Sequence, residues 1–327
     1  MRLLPLATTL LLLAAPATAT AGAATGQPVE LGTIPIGANS RTVVFTPDHR
    51  LAYVANGGSG TVSVVDPVRR AQVATIPVGT FPYGIAFDRP GRYAYVSNRD
   101  SDDVSVIDTA RRAVVKTIPV GDAPRLAALK PDGREVYVSS TGSDAVHVID
   151  TRTQVVTHTI PVGDAPRGVQ FTTGGRYAWV ANSDADTVSV VDTATYTAVD
   201  TIPVGDEPRG VLISPDNRTA YISNTIDGTV SVVDVRTRKI TATILVGEKP
   251  RGITLAAGGR IAYVVNAGPG ATGSGSVVTF DTRTNQVLGQ VAVGLDAHWS
   301  APGPGHRYIL VTNSGSDTLS VVTLARR

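Results

Sequence analysis

With 327 residues, 42% of them apolar and 17% charged, the chain carries enough hydrophobic material for a large buried core. Its formal charge of +2 gives no electrostatic footprint for nucleic acid or an acidic membrane surface. The lack of any cysteine excludes disulfides, covalent haem attachment and lipoprotein anchoring, so stability has to come from the core.

The first element in chain order is a secretory signal expected over residues 1–21. Arg2 forms a minimal basic region, Leu3 to Ala15 an apolar run, and Ala17-Thr18-Ala19 or Ala19-Thr20-Ala21 a small-residue cleavage site. The run is too short for a membrane span, which needs about 20 residues. Residues 22–27 read as a short flexible leader, and 28–327 as one domain.

From there Ile-Pro-Val-Gly, or a variant of it, recurs with its glycine at Gly37, Gly79, Gly121, Gly163, Gly205, Gly247 and Gly294. The steps are 42 residues five times and then 47. A constant period of this size marks a repeat architecture and overrides the two-domain expectation from length. In the copy that follows Gly163, the apolar run Val169-Gln170-Phe171 precedes a turn at Thr172 to Arg176, and Tyr177 to Asn182 has strand composition. A polar hairpin at Ser183–Asp186 leads to Thr187–Asp192, and a second turn leads to Thr197–Val204. Four short strands per period, with no helical spacing, predict four-stranded antiparallel propeller blades. Pro35, Pro77, Pro119, Pro161 and Pro203 place the fourth strand at an edge, because proline cannot donate to a sheet ladder.

The last repeat, from Leu295, stops after its third strand, Thr318–Thr323, whereas the segment Val29–Gly37 is a fourth strand without the three before it. The N-terminal strand is therefore expected to complete the last blade. The predicted fold is all-β, a seven-bladed propeller.

The second strands read Tyr53-Val54-Ala55-Asn56, Tyr95-Val96-Ser97-Asn98, Tyr137-Val138-Ser139-Ser140, Trp179-Val180-Ala181-Asn182, Tyr221-Ile222-Ser223-Asn224, Tyr263-Val264-Val265-Asn266 and Leu310-Val311-Thr312-Asn313. With the Val-Ser-Val-Val-Asp third strands, the chain resembles the YVTN family of β-propeller repeat proteins along its whole length after residue 27. The resemblance implies a seven-bladed propeller of an exported or cell-surface kind. It leaves the chemistry open, since similar propellers act as surface-layer components, ligand binders and, in a related lactonase group, enzymes.

Residues repeated in every blade maintain the blade. The motif asparagines are expected to make side-chain-to-backbone bonds at turns, and Asp66, Asp108, Asp150, Asp192, Asp234 and Asp281 to cap the turns that follow them. The informative register stands four residues past each period glycine and contains Arg41, Tyr83, Arg125, Arg167, Arg209, Arg251 and His298. By the family's geometry it opens the innermost strand beside the central channel. Guanidinium groups at fixed spacing suit carboxylate or phosphate capture. An alternative is a structural belt, because Asp122, Asp164, Asp206 and Glu248 lie three residues before Arg125, Arg167, Arg209 and Arg251.

Symmetry lapses at Tyr83 and at His298-Trp299, which replaces Arg-Gly, and at the insertion Gly268–Gly275, expected to reach the face that carries the arginines. Asp100, Asp102, Asp103, Asp184 and Asp186 offer oxygen ligands but match no calcium loop, so no metal or cofactor is expected. No phosphate loop, dinucleotide motif or nucleophile elbow is present in the sequence.

The reading is an exported monomeric binding propeller. Arg41, Tyr83, Arg125, Arg167, Arg209, Arg251, His298 and Trp299 would contact a small anion, with a glycan or a protein on a loop face as other partners. The alternative is a lactonase-like hydrolase of a small anionic substrate, with His298 as general base.

Overall fold

The computed structural model describes residues 27–255, 257–270 and 273–325. The expected signal peptide, and the leader apart from Gln27, lie outside these residues. The β-branched and aromatic runs form the strands that the period predicts. In the fourth blade these are Pro166–Phe171, Tyr177–Asn182, Thr187–Asp192 and Thr197–Pro203, hydrogen-bonded in that order. The described residues make seven such four-stranded antiparallel sheets, with two three-residue 3₁₀ turns at Ala257–Gly259 and Pro304–His306.

Second and third strands are buried on both faces, as in Ala52–Asn56 and Thr61–Asp66, because each sheet packs between two neighbours. Aromatic contacts lock blade to blade. Tyr53 meets Phe87 of the next sheet edge to face at 5.0 Å, and Tyr137 meets Phe171 at 4.9 Å. Outer strands alternate exposed and buried residues, and in Ala71–Pro77 the terminal proline is exposed at the rim. No helix among the described residues is long and apolar enough to cross a membrane.

Closure of the ring follows the prediction. The strand Pro28–Pro35 pairs antiparallel with Thr318–Leu324 and completes the seventh sheet. Ile34, opposite Leu319, is 0% exposed. The third-strand aspartates cap as expected, Asp66 Oδ1 accepting from the amides of Val68 and Arg69.

All the motif asparagines except Asn266, which bonds a backbone carbonyl, correct the expectation. Asn56 Nδ2 donates to the hydroxyls of Thr61 and Ser63 on the third strand, so the bonds run side chain to side chain across the hairpin. Asn182, Asn224 and Asn313 do the same. Asn98 donates to Asp103 and Ser105, and Asn266 donates to the Val246 carbonyl. The cause is burial: the amide is sealed beneath the period glycine, out of reach of the turn. In the third blade Ser140 replaces asparagine and pairs with His147 Nδ1 at 3.0 Å, so this serine–histidine contact replaces a structural pair.

Because Ile34 is the buried anchor of the closing strand, Ile34→Ala is expected to destabilise the protein by about 2–5 kcal/mol. Urea unfolding followed by far-ultraviolet circular dichroism measures this, and an unchanged midpoint would contradict the role given to the closing strand.

Candidate functional site

The site begins at the period glycine. A Cβ on Gly37 would lie 2.6 Å from Asn56 Nδ2, and on Gly163 2.7 Å from Asn182 Nδ2, so only glycine lets the chain cross this point. Two residues later the backbone turns left-handed at Asn39, Phe81, Ala123, Ala165, Glu207, Lys249 and Asp296, with φ between 47° and 56°. The preceding blade holds this turn in place: Asp102 Oδ1 accepts from the Ala123 amide and Asp186 Oδ1 from the Glu207 amide. Asp102 and Asp186, two of the aspartates that offered oxygen ligands, are therefore blade fasteners.

Each inner strand then carries a one-residue bulge. Pro124 pairs with Ser140 but Ala127 with Val138, and the same shift occurs in all seven sheets. Bulges re-aim side chains, and this one turns Arg41, Tyr83, Arg125, Arg167, Arg209, Arg251 and His298 toward a common mouth. Their contacts demonstrate the convergence. Tyr83 Oη lies 3.2 Å from His298 Nε2, although 215 positions separate them. The Arg41 and Arg125 guanidiniums lie 5.8 and 4.8 Å from the Tyr83 ring centroid.

Second-strand hydroxyls fix the backbone of the ring. Ser139 donates to the Arg167 carbonyl at 2.5 Å, Ser223 to Arg251 at 2.6 Å, Thr312 to Arg41 at 2.8 Å, and Ser97 donates to Arg125. Ser183 donates to Pro208, beside Arg209, at 2.7 Å. The equivalents facing Tyr83 are Ala55 and Gly57, and those facing His298 are Val265 and Ala267, none of which bears a hydroxyl. The two ring positions without arginine thus coincide with the two junctions that lack this fastening. Gly57 also makes room for Phe81, whose ring lies against Arg99 at 3.9 Å and Arg41 at 5.0 Å.

The acids distribute differently from the expected belt. Asp122, Asp164, Asp206 and Glu248 make no ion pair with the ring among the described residues, because they sit outside the left-handed turn. The partners come from the turn residues themselves. Glu207 pairs with Arg209 and lies 3.7 Å from Arg167, and Asp296 lies 2.9 Å from Arg251. Among the described residues Arg41 and Arg125 form no ion pair, and the buried Nε atoms of Arg41, Arg125, Arg167 and Arg251 have no hydrogen-bond acceptor.

Electrostatics follow from crowding and burial. Burial lowers the pKa of Arg167 to about 10, with Arg209 adding repulsion, and it lowers those of Arg41 and Arg251. His298, 3% exposed, is held well below the ordinary imidazole range by burial and then by Arg251, Arg41, Arg209 and Arg125. Burial alone would raise the Tyr83 phenol, but Arg125, Arg167, Arg209 and Arg41 outweigh it and bring it down to about 8.

Trp299 stands apart from the ring. It is one position further along the strand, where Gly84, Gly168, Gly210 and Gly252 abut the next blade, and it packs against the cluster that holds Tyr83 and Leu126. It borders a cavity of about 560 Å³ lined also by Val44, Ile85, Leu129, Val211 and Ile253. A second cavity, about 420 Å³, opens beside the ring among Glu207, Arg209, Glu248, Lys249 and Arg251. The described part of the insertion Gly268–Gly275 follows the second strand and reaches the ring face as expected, the Asp296 amide donating to the Gly273 carbonyl at 3.3 Å, while Ser274 and Gly275 open the third strand. Sequence reasoning missed the register two past the period glycine. Its signal was variability, since it reads Asn, Phe, Ala, Ala, Glu, Lys and Asp where the neighbouring positions repeat.

Neutral, buried His298 carries a pH prediction. Below the unfolded imidazole range near pH 6.5 the unfolded chain takes up a proton that the folded chain refuses, so stability is present above that range and falls as pH drops, by up to about 1.4 kcal/mol per unit for one group. His298→Gln is expected to flatten this slope between pH 6.5 and 5.5, with the remainder due to His147, whose pKa burial also lowers. Equal slopes in urea titrations of both proteins would contradict it.

Comparison with curated protein sequences finds no match. Among solved structures, hydrazine synthase of Kuenenia stuttgartiensis is similar with a TM-score of 0.79 at 21% identity, over 91% of this chain and 97% of that one, a likeness of fold. The family described as Lactonase, 7-bladed beta-propeller matches residues 18–155 and 126–292, which together take in most of the chain. On that match the chain belongs to the lactonase family of seven-bladed β-propellers.

Proposed function

We propose that the channel mouth binds a small carboxylate-bearing anion in an exported protein. One observation carries this reading. Arg41 and Arg125 flank Tyr83, make no ion pair among the described residues, and hold buried Nε–H groups that no protein acceptor satisfies. A buried donor left unmatched costs about 1–3 kcal/mol, and more when charged, so a carboxylate that accepts from several at once offsets a penalty already built into the site. Export rests on the basic Arg2 followed by the apolar run to Ala15, and the YVTN-like second strands support an extracytoplasmic setting. The test is a thermal-shift screen against mono- and dicarboxylates, sugar acids and phosphate. A bound anion is expected to raise the unfolding midpoint by mass action. Arg125→Gln is expected to weaken binding about 10–100-fold, the equivalent of one charge-assisted hydrogen bond. No shift with any anion, or an unchanged affinity in the variant, would remove the reading.

Membership of the lactonase family favours a second reading, hydrolysis of a small anionic lactone. The arginines would hold the carboxylate and the oxyanion that forms as water adds to the carbonyl. His298 cannot act alone as base, since its Nε2 faces Tyr83 and its surroundings disfavour protonation, so the Tyr83–His298 pair would accept the water proton and return it to the leaving alkoxide. General-base assistance contributes about 10²–10⁴ in rate. A pH-stat assay of carboxylated γ-lactones should show a loss of that order in His298→Ala, and turnover that survives unchanged excludes the pair.

A further inference from the structure

Tyr83 and His298 meet at the channel mouth from the second and seventh blades, and Arg41 of the intervening first blade lies 5.8 Å from the Tyr83 ring centroid. Their rings cross at 81° with centroids 5.4 Å apart. Tyr83 is 5% exposed and His298 3%, and His298 Nδ1 is buried with no hydrogen-bond partner among the described residues. Arg125, Arg167, Arg209 and Arg41 act most strongly on the phenol, Arg251 also interacts with it while paired with Asp296, and Glu207 is paired with Arg209. A neutral imidazole accommodates either state of that phenol. With its proton on Nδ1 it accepts from the Tyr83 hydroxyl through Nε2, and with its proton on Nε2 it donates to a phenolate.

We propose that Tyr83 is the proton-exchanging group of the arginine ring, so that the site takes up a carboxylate anion together with a proton. The inference rests on the reading of the mouth as an anion site. Its logic is competition for one field. A phenolate at Tyr83 is an internal anion seated among four guanidiniums, and an external carboxylate brought to the same guanidiniums meets its repulsion. When the carboxylate binds, the arginines no longer favour the phenolate and Tyr83 takes a proton from solvent, as reciprocal linkage requires. The arginine field brings the phenol to about 8 against the opposing effect of burial, so the exchange falls in an accessible range. Below that range Tyr83 is already protonated and anion affinity is flat. Above it affinity falls, and at pH 9 it is about tenfold weaker than at pH 7.

The probe is succinate, both of whose carboxylates are ionised throughout pH 7–9. Calorimetric titration of the full chain at the two pH values is expected to give about tenfold weaker binding at pH 9, with proton uptake seen as a dependence on buffer ionisation heat. Tyr83→Phe removes the hydroxyl alone and is expected to bind equally at both pH values. Tyr83→Arg, which installs the residue of the five arginine blades, is a second variant with the same flat profile. Absorbance at 295 nm, without ligand, should show one phenol ionising near pH 8 in the native protein, absent from Tyr83→Phe and moved upward by succinate. Equal affinity at pH 7 and 9, or a tenfold loss that persists in Tyr83→Phe and Tyr83→Arg, overturns the coupling while leaving the anion site standing. Failure of succinate to bind the native protein at either pH overturns both.

Discussion

Each blade depends on the contact between the period glycine and the residue buried beneath it. In most blades that residue is an asparagine, and the gap above it leaves no room for a Cβ, with Gly205 2.6 Å and Gly294 2.7 Å from the side chain below when the Cβ is built. The asparagine in turn ties the second strand to the third through two hydroxyls. Everything that places the functional residues follows within four positions: a left-handed turn, an inner-strand bulge, and a side chain sent to the channel mouth. Exchange in the third blade supports this ordering. There serine and histidine replace asparagine and serine together, and Gly121 lies over His147.

Charge is handled in a way that separates scaffold from site. Three of the ring arginines are partnered by Glu207 or Asp296, and in these largely buried pairs the attraction offsets the desolvation of both charges. Arg41 and Arg125 form no ion pair among the described residues and flank a buried phenol instead. The blade fasteners lapse at the same place, since Ala55, Gly57, Val265 and Ala267 cannot donate where hydroxyls donate elsewhere. Loss of repeat symmetry in the ring therefore coincides with loss of a structural bond, which is the pattern expected where a scaffold yields to a local requirement.

The architecture was legible because it is written in period and composition. The prolines marked the outer edge, the unpaired N-terminal strand marked the closure, and the ring register was found by counting from glycine. Two expectations failed, each for its own reason. The asparagines were assigned to backbone bonds and the ring acids to Asp122, Asp164, Asp206 and Glu248, whereas burial under glycine redirects the first and a left-handed turn the second. Sequence spacing measures distance along the chain, and a single left-handed residue reverses which neighbours face the channel.

The amino-acid sequence by itself determined the number of blades, their strand order, the closure and the identity of the ring residues, because these follow from local periodicity repeated seven times. Tertiary structure alone decided that Tyr83 and His298, 215 positions apart, share a hydrogen bond, and that Arg41 and Arg125 form no ion pair among the described residues. It also decided that Trp299, one position past the ring register, borders an apolar-lined cavity. The reason is physical. A blade is specified by its own residues, whereas the field at the channel mouth is the sum over all seven blades and exists only once the ring has closed.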